Sequence, residues 1–229
     1  LKHVVITAVA RDDLKDGGAE HFNRTITAIR AVNPGIIIEV LCPDFNDRDW
    51  ALKLCMDARP HIFNHNLETV ERLTPLVRSR AKYWRSLAVL KKAGEMVNGK
   101  VSVKSGIMLG LGETHEEILK AMDDLLDHKV TVLTLGQYLR PTPRHLPVVD
   151  YLKPEYFDEL KQIALDKGFR HVASGPLVRS SYHAADFRPE LDVLDDIEAD
   201  LRGTMELELK PSDLPIPPAN GDLVNNTLV

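Results

Sequence analysis

Ligand-binding residue types fall into a few short segments of this 229-residue sequence. Gly17 and Gly18 stand at the entry of a predicted helix. There glycine permits close backbone approach and leaves N–H groups for an anion or carbonyl ligand, although a simple tight turn is the alternative. Asn66 and Glu68 place an amide and a carboxylate together after a strand-like run. Such a pair suits the two hydroxyl groups of a ribose.

A glycine-rich stretch covers residues 104–114, with glycines at 106, 110 and 112. Without side chains, a strand end before a capped helix offers its backbone to a flat ring or a phosphate. The spacing differs from a dinucleotide-binding fingerprint, and a glycine-rich strand end without a ligand is the alternative.

Two further segments are cationic. Arg140 and Arg144 lie in a proline-rich loop that suits a carboxylate or phosphate, or forms a solvated face. Arg179, Ser181 and Tyr182 lie in a serine-rich stretch close to His183. A serine hydrolase is disfavoured, because no Gly-x-Ser-x-Gly pattern surrounds the serines.

The cysteine and histidine inventory limits metal and disulfide chemistry. Cys42 and Cys55 are the two cysteines, too few for a disulfide scaffold or a four-cysteine metal site. Cys42 follows a strand and is either a nucleophile or, as we favour, a small buried residue. His61 and His65 flank a strand-like Ile-Phe pair, which separates the rings by about 13 Å and disfavours a metal pair.

Charge is spread unevenly along the chain. The net charge is −5, which excludes a broad nucleic-acid footprint. Residues 186–229 hold eleven acidic and three basic residues, so we expect an acidic, flexible tail after a core over residues 1–185, with one short helix near residues 191–201. No apolar run is long enough for a membrane span, and no secretory signal is seen. A bacterial cytoplasm is the expected setting, with an organelle left open.

Hydrophobic periodicity predicts six strands alternating with five helices. The strands are expected over 2–9, 35–41, 62–65, 101–109, 131–138 and 169–173, and the helices over 19–32, 47–57, 81–97, 114–128 and 154–167. This order predicts an α/β parallel sheet, open or curled into a barrel. Because chemistry in such folds lies at the carboxyl ends of the strands, the segments above are expected to meet there.

Taken together, six stretches resemble the lipoyl synthases, a family of radical S-adenosylmethionine (SAM) enzymes. In order within residues 3–185 they are VVITAVARDDLKDGGAEHF, PDFNDR, NHNLETV, KSGIMLGLGET, TLGQYLRPT and SGPLVRSSYHA. The resemblance implies a partial (β/α)₆ TIM-like barrel of the radical SAM type, with its first strand missing here. It also implies two [4Fe–4S] clusters and SAM as cofactors.

The implied activity is sulfur insertion at C6 and C8 of an octanoyl chain bound to a lipoyl carrier domain. A 5′-deoxyadenosyl radical from SAM takes hydrogen atoms, and the auxiliary cluster supplies the sulfur. The implied partners are the glycine cleavage H protein, the E2 component of 2-oxoacid dehydrogenases and an electron donor, with no nucleic acid or membrane.

The resemblance also assigns roles to residues of this sequence. It places Gly17 and Gly18 at the methionine amino group, Asn66 and Glu68 at the ribose, and Lys104, Gly106, Gly110 and Glu113 behind the adenine, with Gln137 as a further cofactor-binding residue. Ser181 corresponds to a hydroxylate ligand of the auxiliary cluster. Arg179 and Tyr182 flank that site as substrate-binding residues, and Arg140 and Arg144 are candidates for the carrier-protein face.

One departure from the family is large. Its cluster ligands form two three-cysteine motifs before the first matching strand, and neither is present here. Because the sequence also begins with Leu1, we expect a piece of a longer enzyme that is inactive alone. The alternatives are a non-catalytic binding module or pseudoenzyme that keeps the carrier-protein surface, and an unrelated barrel enzyme that binds phosphate at residues 106–112.

Overall fold

The computed structural model describes residues 1–96 and 101–182. Within them, six strands form one sheet in the order β1-β2-β3-β4-β5-β6, with every neighbouring pair parallel. The strands are β1 (His3–Thr7), β2 (Ile37–Leu41), β3 (Ile62–Asn64), β4 (Ser102–Leu109), β5 (Val132–Gln137) and β6 (His171–Gly175). The sheet is unclosed, since β1 and β6 are not paired. The predicted α/β architecture is therefore confirmed, with all six strands present.

Helices connect the strands. They are α1 (Ala19–Val32), α2 (Asp49–Asp57), α3 (Thr74–Val77), α4 (Tyr83–Met96), α5 (His115–Asp127) and α6 (Pro154–Lys167), with 3₁₀ turns at Phe45–Asp47 and Glu71–Leu73. All five predicted helices are present. The short α3 was not predicted, because one helical turn is too short to show a hydrophobic period.

Helix α5 illustrates how local sequence sets these boundaries. The Thr114 hydroxyl accepts a hydrogen bond from the Glu117 N–H at 3.3 Å, and the Glu117 carboxylate accepts one from the Thr114 N–H at 2.9 Å. This reciprocal capping box satisfies two N–H groups that the helix cannot bond internally. Ile118, Met122 and Leu125 then bury one face of the helix.

The two faces of the sheet differ in chemistry. Consecutive strands are neighbours, so right-handed crossovers place the helices on one face, and strand residues such as Val40, Phe63 and Leu133 join the hydrophobic core with them. The residues that alternate with these point to the other face, where Glu39 and Lys104 are buried. Polar groups are therefore enclosed on the side that a closing barrel would surround.

No helix of the described residues is both long and apolar enough to cross a membrane. The predicted acidic tail over 186–229 and its short helix lie outside those residues, as do His183 and the boundary at 185.

Candidate functional site

A cavity of about 580 Å³ opens at the carboxyl ends of β3 to β6. Its polar lining includes Asn66, Glu68, Thr134, Arg144 and Arg179. Apolar side chains from α3 and from the loops above the sheet complete the wall, among them Leu76, Val77, Leu111, Leu139 and Leu146. The cavity thus joins a polar floor to an apolar rim, a combination that suits a ligand with both characters.

Asn66 and Glu68 extend β3 along the edge of β4. The Glu68 N–H donates to the Gly106 carbonyl, and the Met108 N–H donates to the Glu68 carbonyl, both at 2.9 Å. Glu68 adopts a left-handed φ of 70° to make this bridge. The pairing fixes the backbone at Glu68, so this side chain is directed by a bridge to β4 rather than by a free loop.

The side chains of this pair provide acceptors for hydroxyl groups. Asn66 Oδ1 is buried and has no hydrogen-bond partner, a costly state unless a ligand or water donates to it. Burial raises the pKa of Glu68, while a hydrogen bond from Asn66 and the charge of Arg78 oppose that rise. These oxygens therefore suit the vicinal hydroxyls of a sugar, and their contact with a ribose stays a prediction.

Arg78 supports the segment from below. Its Nη1 donates to the Asn66 carbonyl at 3.0 Å and to Ser86 Oγ at 3.1 Å. Ser86 in turn lies 2.9 Å from His65 Nε2, and His65 Nδ1 lies 2.8 Å from the Cys42 carbonyl. Because that carbonyl can only accept, Nδ1 carries the proton and Nε2 accepts from the serine. Arg78 was not predicted as a site residue, because it lies in an ordinary basic run of the sequence.

Glycine is required at two positions of the cavity floor. A Cβ on Gly106 would lie 2.6 Å from Thr134 Oγ1 and 3.0 Å from Asn66 Oδ1. A Cβ on Gly136 would lie 2.3 Å from the Val178 carbonyl oxygen. Gly106 therefore keeps the floor flat beside Asn66, as expected for a surface that accepts a planar ring, and Gly136 allows the loop after β6 to cross the sheet.

The glycine pair before α1 is bonded within its own loop. The Gly17 N–H donates to the Leu14 carbonyl at 3.1 Å, and the Gly18 N–H donates to Asp16 Oδ1 at 3.1 Å. These N–H groups are therefore not free for a ligand, because the loop bonds them internally, and the tight-turn alternative describes this loop. Both glycines have positive φ, 62° and 88°, and neither lines the cavity. Their contact with a methionine amino group stays a prediction.

The polar groups of the Gly110–Glu113 turn are also used within the protein. The Glu113 carboxylate accepts hydrogen bonds from the N–H groups of Gly110 and Leu111. The Gln137 side-chain amide donates to the carbonyls of Leu109, Tyr138 and Asp150, and its oxygen accepts from the Leu152 N–H. Glu113 and Gly110 do not line the cavity, whereas Gln137 does. Their predicted cofactor contacts remain untested.

Lys104 lies outside the cavity lining, on the enclosed polar face of the sheet. Its Nζ lies 2.8 and 3.1 Å from the two carboxylate oxygens of Glu39 and 2.6 Å from the Ser180 carbonyl. Asn64 also donates to Glu39, at 2.9 Å, and His3 Nε2 lies 3.6 Å from it. Burial opposes ionisation of Glu39, but contacts with His3, Lys104 and Asn64 outweigh it and hold the pKa of Glu39 below its ordinary value.

Glu39 was not predicted as a site residue. A signal was available, because one acid interrupts the apolar run Ile36-Ile37-Ile38-Glu39-Val40. A charge inside a buried strand is rare unless it is paired.

The cationic residues above the sheet divide into two groups. Arg144 and Arg179 line the cavity, whereas Arg140 donates to the carbonyls of Pro143 and His145 in its own loop. Ser181 and Tyr182 are exposed and follow Ser180, which lines the cavity. The structure thus brings the Ser181 segment to the cavity rim, and the roles predicted for these residues stay predictions.

The chain belongs to a known superfamily on the evidence of its sequence. The model of the Radical SAM superfamily matches residues 1–125, more than half of the chain. This chain is a radical SAM protein. Over 184 residues it is 61% identical to a lipoyl synthase of Geobacillus kaustophilus and 59% identical to one of Shouchella clausii. Those matches cover 80% of this chain and 61% and 59% of the two relatives, so the chain spans about three fifths of their length.

The fold of this chain is also seen in a solved structure. Methylornithine synthase aligns with a TM-score of 0.57 at 11% identity, covering 88% of this chain and 71% of that one. At this identity the likeness concerns the fold alone.

Iron–sulfur clusters in proteins are held mainly by cysteine thiolates. The Sγ atoms of Cys42 and Cys55 lie 3.7 Å apart, both buried, and burial raises the pKa of Cys42. Within the described ranges no three His, Cys, Asp or Glu side chains converge on a possible metal position, and both rings of the disfavoured His61–His65 pair bond elsewhere. The residues that the structure describes therefore do not fit a [4Fe–4S] cluster, whereas Asn66, Glu68 and Gly106 fit the nucleoside part of SAM.

Proposed function

We propose that this chain is the nucleoside-binding and substrate-facing part of a lipoyl synthase, which inserts sulfur at C6 and C8 of a protein-bound octanoyl chain. The observation that carries the proposal is the meeting of Asn66, Glu68 and Gly106 at one cavity, in a radical SAM protein about 60% identical to lipoyl synthases.

The residues of the cavity divide the work of binding. Asn66 Oδ1 and the Glu68 carboxylate accept hydrogen bonds from the ribose hydroxyls, and the bare backbone at Gly106 faces the adenine. When bound, SAM supplies a 5′-deoxyadenosyl radical that removes hydrogen from the octanoyl chain. Leu76, Val77 and Leu146 at the rim offer an apolar wall for that chain and exclude water from the reacting carbons.

The outer surface is proposed to meet the carrier protein. Arg144 and Arg179 line the cavity, and Arg140 and Tyr182 lie in the same two loops. Together they suit an octanoylated lipoyl carrier domain, from the glycine cleavage H protein or a 2-oxoacid dehydrogenase E2 component. Ser181 is the proposed hydroxylate ligand of an auxiliary cluster. Both [4Fe–4S] clusters need thiolates from outside these 229 residues, together with an electron donor. The proposed setting is the bacterial cytoplasm.

The alternative of a non-catalytic binding module gains no support, because the curated relatives reported above carry the name of an enzyme. An unrelated phosphate-binding barrel enzyme is excluded by the superfamily match.

Calorimetry on this chain tests the proposal in two stages. 5′-Deoxyadenosine is expected to bind, and Asn66→Ala and Glu68→Gln are each expected to weaken binding about tenfold, the effect of losing one hydrogen bond to a charged or buried group. Glu71→Gln, outside the cavity lining, is the matched control. An octanoyl-lysine peptide is then added. Equal affinity in all variants would refute the nucleoside site, and a peptide that binds no better than its acetyl-lysine analogue would refute the lipoyl synthase assignment alone.

A further inference from the structure

The loop after β6 is held by a charged pair that lies deep inside the sheet. Lys104 comes from β4 and Glu39 from β2, and their side chains are 4% and 0% exposed. The strand between them, β3, contributes Asn64, which donates to the same carboxylate. Three strands thus build one buried network on the polar face of the sheet.

The Lys104 ammonium has three N–H groups and three acceptors in reach. Two are the Glu39 oxygens, and the third is the backbone carbonyl of Ser180 at 2.6 Å. Ser180 is 76 residues further along the chain, so this bond joins the loop to the sheet interior. A buried lysine is rarely kept unless its charge is paired, and here the pairing leaves one N–H directed at the loop.

We infer that Lys104 and Glu39 are positioning residues for the Ser180–Tyr182 segment, holding the Ser181 hydroxyl at the cavity rim. Glu39 orients the ammonium, and the ammonium fixes the carbonyl directly before Ser181. The inference rests on the proposed function for its meaning, since it is the lipoyl synthase assignment that gives Ser181 a chemical role. It also revises that assignment at Lys104, whose ammonium is engaged with the protein rather than with a nucleoside.

Two backbone hydrogen bonds of the segment close local turns, from the Val178 N–H to the Gly175 carbonyl and from the Tyr182 N–H to the Arg179 carbonyl. Local turns of this kind open readily unless a long-range contact restrains them. Loss of the Lys104 bond is therefore expected to free residues 179–182 while the sheet persists.

Hydrogen–deuterium exchange of the 229-residue chain, read by mass spectrometry, tests the inference. Lys104→Met keeps the length of the side chain and removes the donor. Because it leaves Glu39 as an unpaired buried charge, the double variant Glu39→Gln/Lys104→Met is measured beside it. Both are expected to speed exchange at residues 178–182 about tenfold, with α5 and α6 unchanged. Lys104→Arg, which can pair with the carboxylate and still donate, is expected to restore slow exchange. Lys120→Met, which breaks a surface ion pair, is the control.

Unchanged exchange at 178–182 in the folded double variant would overturn the inference, as would faster exchange spread evenly over the sheet. Nucleoside affinity is measured on the same samples. If exchange at 178–182 becomes faster in the variants but the parent chain does not bind the nucleoside, the proposed function is contradicted and the positioning role of Lys104 and Glu39 is kept. If the parent chain binds the nucleoside but exchange at 178–182 is unchanged in the variants, the positioning role is contradicted and the proposed function is kept.

Discussion

Arg78 Nη1 donates to the backbone carbonyl of Asn66 at 3.0 Å, from a side chain that does not line the cavity. The same nitrogen reaches Ser86, so one guanidinium joins helix α4 to the segment that carries the proposed ribose acceptors. Arg78 thus holds the Asn66 backbone from outside the cavity, and this restrains the position of Asn66 Oδ1, which has no hydrogen-bond partner of its own.

Arg78→Lys is therefore expected to weaken binding of 5′-deoxyadenosine about tenfold while leaving the cavity lining intact. A lysine keeps the charge, but its side chain is one bond shorter, so its ammonium does not reach the position from which Arg78 Nη1 makes both contacts. Calorimetric titration measures the effect. Arg80→Lys, two residues away in an exposed ion pair, is the control. If both variants bind like the parent, Arg78 does not position Asn66.

Gly136 and Gly175 stand directly opposite each other on β5 and β6 and offer a matched pair of substitutions. An alanine Cβ at 136 would approach the Val178 carbonyl oxygen to 2.3 Å, whereas one at 175 would lie 3.5 Å from the nearest atom, an ordinary contact. Gly136→Ala is expected to cost about 1–3 kcal/mol of unfolding free energy and Gly175→Ala much less. Urea unfolding measures both, and equal losses would show that the loop does not constrain position 136.

Two buried histidines predict acid sensitivity. Burial lowers the pKa of His65 to about 4, and of His61 to about 4, so both are neutral in the fold. The unfolded chain binds these protons near pH 6.5, so stability falls as pH drops from about 6.5 to 4 and the loss levels off below that. For His65 the loss is about 3 kcal/mol.

Urea unfolding at a series of pH values measures this loss. His65→Gln is expected to reduce the slope between pH 6.5 and 4. His21→Gln, on the exposed face of α1, should retain it. A slope unchanged by His65→Gln would contradict the assignment of a neutral, buried imidazole.

Thr114→Ala removes half of the capping box of α5. The expected cost is about 1 kcal/mol of unfolding free energy, since the Glu117 N–H loses its acceptor. Thr25→Ala is the control, because that hydroxyl bonds back to the His21 carbonyl within α1 and such bonds add little to a helix. Equal effects of the two substitutions would argue against the cap.

Anaerobic incubation with iron and sulfide is expected to leave this chain without stoichiometric cluster absorbance. Its two cysteines are buried and face each other, so they do not present thiolates to a cluster. Thiol titration is expected to find both groups slow to react in the folded chain and fast in urea. Rapid native reaction, or one cluster per chain, would refute this account of the cysteines.

The sequence alone predicted the strand series, the capping box and the gathering of Asn66, Glu68 and Gly106, because these depend on local periodicity and on the strand-end rule for parallel sheets. It did not predict that Asp16 would accept the hydrogen bond from the Gly18 N–H, because a capping side chain and a bound ligand both accept from the N–H groups at a helix N-terminus. Nor did it predict the pairing of Glu39 with Lys104. That contact depends on register across two intervening strand pairings, which no short pattern encodes.

Three successive residues of strand β4 have three different structural roles. Lys104 points to the buried carboxylate, Ser105 points to the opposite face and bonds the His65 carbonyl and the Leu67 N–H, and Gly106 lies beneath Asn66. Because side chains alternate along a strand, deleting or inserting one residue here would exchange the two faces and disable all three roles together. This stretch should therefore tolerate single substitutions far better than any change in its length, and natural variation in loop length should be confined to the connections on either side of it.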